Sequence, residues 1–120
     1  MQSKDLAYSC AKLLSDRKAI DIRIIDIGEK SSFADYIVIA EGNSDRQVNA
    51  LCDDIEERLA KDDILPRSIE GRPDSGWILM DYRDVIVNIF AKEMREKYNL
   101  ESIWGDCPAV SYDTQTGEEK

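Results

Sequence analysis

The sequence has 120 residues, about one domain, and its 42% apolar and 34% charged content is ordinary for a globular protein and too apolar for a disordered one. Twenty-five acids against 16 bases leave a net charge of −9, which on average repels phosphate, argues against direct sequence-specific nucleic-acid binding and favours encounter with a basic protein. No apolar run approaches the roughly 18 residues that cross a bilayer, and the N-terminus shows no cleavable apolar segment, so a cytoplasmic protein without a membrane anchor is expected.

Residues 3–18 read as an amphipathic helix, with Leu6, Cys10, Leu13 and Leu14 at helical spacing and Ala7 and Ala11 beside them. Ile20 to Ile27 alternates β-branched and polar residues as a half-buried strand does, and Gly28 closes it. Asp35 to Ala40 is a short continuous apolar run, the mark of a strand covered on both faces. Gly42-Asn43-Ser44 then turns the chain into a second helix, where Ser44 and Gln47 have the spacing of a capping box. Val48, Leu51, Cys52, Ile55 and Leu59 form its inner stripe, Asp53, Asp54, Glu56 and Glu57 its outer face, and it must end before Pro66.

Arg67 to Glu70 is a short strand candidate, followed by the turn-forming run Gly71 to Gly76. Trp77–Asp81 and Asp84–Phe90 read as a hairpin across Tyr82-Arg83. A third helix carries Met94 and Tyr98 one turn apart, with Asn99 as a left-handed stop and Leu100 as its apolar cap. Residues 107–120 read as a polar C-terminal tail outside a domain of residues 1–106, flexible from about Ser111 onward. The order α-β-β-α-β-β-β-α predicts a single α/β (α+β) domain with a five-stranded mixed sheet and packed helices.

Catalytic equipment is sparse. With no histidine, imidazole-based triads and dyads are excluded. Cys10, Cys52 and Cys107 are odd in number and widely spaced, which fits neither a disulfide framework nor a zinc site. The phosphate-cradling glycine loops are absent. Gly42-Asn43-Ser44 lies where a nucleotidyltransferase holds phosphate, but the following strands lack two magnesium-binding acids one residue apart. Ser44 therefore reads as an N-cap, and no cofactor or metal is expected.

The hairpin is the richer feature. Alternation puts Trp77, Leu79 and Asp81 on one face and Ile78 and Met80 on the other. An aromatic anchor among acids (Glu70, Asp81, Asp84) has the composition of a protein-docking hot spot. A core tryptophan flanked by acidic turn residues explains the same pattern equally well.

The stretch Ser32 to Val48, then Glu70-Gly71, Trp77, Asp81 to Phe90 and Arg95 to Asp106 resembles the ribosomal silencing factor (Iojap-like) family, over nearly the whole length from Leu6 to Asp106. The resemblance implies a fold related to nucleotidyltransferases without their active site. It also implies a non-enzymatic translation repressor that binds the basic large-subunit ribosomal protein L fourteen and blocks joining of the subunits, with assembly of the large subunit or nucleotidyl transfer as the alternatives. Family members are commonly homodimers when free. By family position the contact is expected at Trp77, Leu79, Asp81 and Tyr82, supported by Glu70, Arg72 and Asp84. Many members carry histidine where this chain has Asn88, a departure that a docking role tolerates.

Overall fold

The structure, a computed structural model, describes residues 2–110 (for residue 73 the backbone only). In chain order it contains α1 (Ser3–Asp16), β1 (Ile20–Asp26), β2 (Tyr36–Gly42), α2 (Asp45–Ala60), β3 (Ser68–Arg72), a 3-10 turn (Pro73–Ser75), β4 (Trp77–Asp81), β5 (Val85–Ala91), α3 (Lys92–Tyr98) and α4 (Leu100–Ile103). The strands form one sheet in the order β1-β2-β5-β4-β3. Only β2 and β5 run parallel; the other neighbours are antiparallel. The fold is therefore the α+β domain with a five-stranded mixed sheet that the sequence predicts.

Each face of the sheet has its own cover. On one, Ile24, Val38, Ala40, Ile78, Met80, Val87 and Ile89 meet the apolar stripes of α1 and α2. On the other, Ile25, Ile37, Ile39, Ile86 and Phe90, with Trp77 and Leu79 beside them in the sheet, pack against Met94, Leu100, Trp104 and Cys107. Two covered faces explain why the inner strands β2 and β5 read as continuous apolar runs.

Local chemistry sets the element ends. Ser44 Oγ accepts from Gln47 N–H at 3.1 Å, while Gln47 Oε1 accepts from Asn43 N–H at 2.6 Å, one residue earlier than in the usual capping box. Gly42 closes β2 instead of turning the chain, and a Cβ there would approach Val48 Cγ2 to 2.9 Å. α3 stops at Asn99, which adopts the left-handed conformation (φ 45°) expected of it.

Four expectations are corrected. β1 is not a simple alternating strand: its register slips between Ile20 and Arg23, Asp21 takes φ 48°, and Ile24 and Ile25 are both buried. β3 is displaced toward the turn and runs from Ser68 to Arg72. Leu100 begins a further helical turn, α4, beyond the expected cap. Residues 107–110 are not a loose tail, because Asp26 N–H donates to Pro108 C=O (3.0 Å) and Val110 N–H to Ile24 C=O (2.9 Å), bridging Ala109 to Ile25 on the β1 edge. Residues 107–110 are therefore tied to the sheet. The flexible tail expected from Ser111 lies outside the described residues.

Candidate functional site

On the second face, where β3 and β4 run beside α3, the surface forms a hollow of about 230 Å³. Trp77 and Leu79 of β4 form its floor, Glu70, Gly71 and Ser75 one wall, and Met94 and Tyr98 of α3 the other. Antiparallel register sets Glu70 opposite Leu79 and Arg72 opposite Trp77, so an acid and a base flank the apolar floor. Two glycines permit this shape. Gly71 (φ 90°) would drive a Cβ to 2.1 Å from Trp77 C=O, and Gly76 (φ 78°) would drive one to 2.4 Å from Met94 Cγ. The 3-10 turn is closed by Ser75, whose Oγ donates to Arg72 C=O at 2.6 Å.

Trp77 is half-buried and held from three sides. Its ring stacks on Phe90 (centroids 5.2 Å apart, planes at 22°) and meets Tyr98 at 4.7 Å and 46°. Its Nε1–H donates to Asn88 Oδ1 at 3.1 Å. Arg95 anchors α3 from its inner side. Its Nε donates to Glu101 Oε1 at 2.9 Å, and its guanidinium lies 3.6 Å from Asp21 and 3.9 Å from Glu41. α3 has seven residues and no side-chain N-cap, too short to be stable in water by itself, so the ion pairs of the buried Arg95 and the apolar layer fix the Met94–Tyr98 wall.

The structure brings Glu70, Trp77 and Leu79 to the hollow, with Arg72 at its rim. The Arg72 guanidinium pairs with Asp74 at 3.3 Å, an exposed contact of little energy. Asp81 follows Trp77 and Leu79 on the same face, but it is only 9% exposed: it accepts from Arg67 Nη2 at 2.6 Å and from Arg83 N–H at 2.7 Å. Those bonds make Asp81 a turn-forming residue in this structure. Tyr82 sits apart from the hollow. It is 5% exposed in the core under α1 and α2, where burial pushes its hydroxyl pKa well above the ordinary 10.0. Asp84 is exposed in the β4–β5 turn, and its C=O accepts from Asp35 and Tyr36 N–H. Sequence reasoning missed Met94, Tyr98, Asn88 and Arg95 as parts of this site. The one-turn spacing of Met94 and Tyr98 marked a helix face, but nothing local told which surface that face would meet.

Two of the three cysteines are core residues. Cys10 and Cys52 are buried, with thiols pushed up by desolvation to about 12 and about 11, and neither is poised as a nucleophile. Among the described residues no group of three or more His, Cys, Asp or Glu could hold a metal. No helix is long and apolar enough to cross a membrane.

Comparison with known proteins agrees with this architecture. The family described as "ribosomal silencing factor during starvation" (RsfS) matches residues 1–120. The chain is 37% identical over 113 residues to the ribosomal silencing factor RsfS of Bacillus subtilis, covering 94% of this chain and 96% of the relative. It is 42% identical over 92 residues to that of Zymomonas mobilis, covering 77% and 69%. With the chloroplastic protein Iojap of Zea mays it shares 32% over 111 residues, spanning 91% of this chain and 48% of that longer protein. A crystal structure from Chromobacterium violaceum superposes with a TM-score of 0.84 at 28% identity, covering 88% of each chain. Another, from Bacillus halodurans, gives 0.73 at 31% identity, covering 88% of this chain and 93% of the other. The chain belongs to the ribosomal silencing factor (RsfS) family.

Proposed function

We propose that this protein is a cytoplasmic, non-catalytic repressor of translation that docks on the large ribosomal subunit and blocks joining of the small one. Its contact is the hollow floored by Trp77 and Leu79 and flanked by Glu70 and Arg72, and its target is a basic protein of the subunit face, L fourteen by family resemblance. Asp84 adds a negative charge outside the hollow, in the turn at the far end of β4, Asp81 supports that turn, and Tyr82 acts through the core. When free, the chain pairs with a second copy.

Family membership carries the reading, and two physical features support it. A half-buried tryptophan set among apolar walls offers a desolvated anchor with a charged rim. The charge of −9 steers the protein toward a basic partner and away from surrounding phosphate.

Co-sedimentation with purified large subunits, followed by addition of small subunits, tests both halves. Binding with fewer joined ribosomes is expected. Trp77→Ala should abolish binding while leaving a cooperative unfolding transition. Binding without reduced joining would replace the repressor by an assembly role, and magnesium-dependent nucleotide binding would reopen the enzymatic reading.

A further inference from the structure

Asn88 is an exception on an apolar face. It lies mid-strand in β5 between Ile86 and Phe90, and it is 1% exposed. A buried amide is unfavourable unless it is hydrogen-bonded, so its partner matters. Among the described residues that partner is the indole N–H of Trp77, 3.1 Å from Asn88 Oδ1. Register explains the meeting: Leu79 faces Asn88 and Trp77 faces Phe90, so the Trp77 ring lies on Phe90 with its N–H edge toward the residue two positions earlier on β5. Stacking fixes the plane of an indole but does not choose which edge points inward. A single buried acceptor makes that choice.

We propose that Asn88 is the positioning residue of the docking site: it selects the orientation of Trp77 and so decides which edge of the ring faces the hollow. This inference rests on the docking role of the hollow. It differs from a purely structural role in the sign of its consequences. Leucine keeps the branched outline of asparagine but is bulkier; at position 88 it would join Ile37, Ile39, Ile86 and Phe90 in apolar contact, with the adjoining hollow to take up the extra volume, so it should hold or raise stability. It would also leave the indole free to reorient. Histidine in its neutral form retains an acceptor nitrogen.

The test uses the full chain with Trp104→Phe, so that Trp77 is its only tryptophan, comparing Asn88, Asn88→Leu and Asn88→His at pH 8. Three readings are taken: the denaturation midpoint, the near-ultraviolet dichroism of Trp77, and the affinity for purified large subunits. Asn88→Leu should keep or raise the midpoint, change the dichroism band and weaken affinity at least tenfold, whereas Asn88→His should restore most of the affinity. On a Trp77→Phe background, Asn88→Leu should cost no further affinity, because its effect runs through the indole. That cycle also decides the matter if Asn88→Leu lowers the midpoint. An unchanged dichroism band, or an equal affinity loss on both backgrounds, overturns the proposal. If the parent chain does not bind large subunits, the docking reading fails, and the dichroism band alone judges whether Asn88 orients Trp77.

Discussion

The two faces of the sheet are covered in different ways. Under α1 and α2, helices of 14 and 16 residues, the interface is a continuous apolar core with Leu14, Ile24, Leu51, Ile55, Leu59 and Met80 at 0–1% exposure. The opposite face is covered by two short helices and the turn that follows them, through Trp104 and Cys107. It includes a buried amide, a buried guanidinium and an open hollow. Apolar burial is non-directional and grows with area, so the first face gains stability without needing any one geometry. Hydrogen bonds and ion pairs add little net stability but specify orientation. The first face supports the fold, and the second presents a shaped surface.

Substitutions should separate the two faces. The largest effect is expected at Leu59, which is 1% exposed in the first core: Leu59→Ala should cost about 2–5 kcal/mol, read as a lower midpoint of global denaturation. Arg95→Met comes next. It leaves Glu41 without its cation and takes one of two from Glu101, which keeps Arg23 at 3.4 Å, and it should cost about 2 kcal/mol, below the usual range for a buried pair because Asp21 is exposed and Glu101 partly solvated. Here the loss should be local, with faster amide exchange over residues 92–103 and near-normal protection in α1 and α2. Equal loss of protection in both regions would refute the division.

Smaller effects sharpen the contrast. Ser44→Ala removes the α2 cap and should cost about 1 kcal/mol, measured by denaturant titration, with no change in large-subunit affinity. The buried thiols and hydroxyl of the first face give it an alkaline pH effect. Cys10 and Cys52 titrate in the folded state near 12 and 11 against an ordinary 9.0, and Tyr82 is raised above 10.0 by the same burial. The unfolded chain therefore loses these protons first, so the native state binds more of them and stability falls as pH rises. The loss should begin near pH 9 and continue toward 12, and Cys10→Ala should reduce its slope in thermal melts. A slope unchanged by that variant would assign the alkaline loss elsewhere.

Periodicity and local chemistry by themselves determined most of the first face. The stripes of α1 and α2, the cap at Ser44, the doubly covered β2 and the left-handed stop at Asn99 all follow from residues within one or two turns of each other. Family motifs added the ribosomal assignment, and composition added the acidic surface. Only the tertiary structure decided what sits on the second face. Trp77 and Asn88 are 11 residues apart and meet through strand register; Arg95 and Asp21 are 74 apart and meet across the sheet edge. Polar contacts of this kind leave no periodic trace, since each depends on one partner brought close by the fold and on no repeated spacing along the chain.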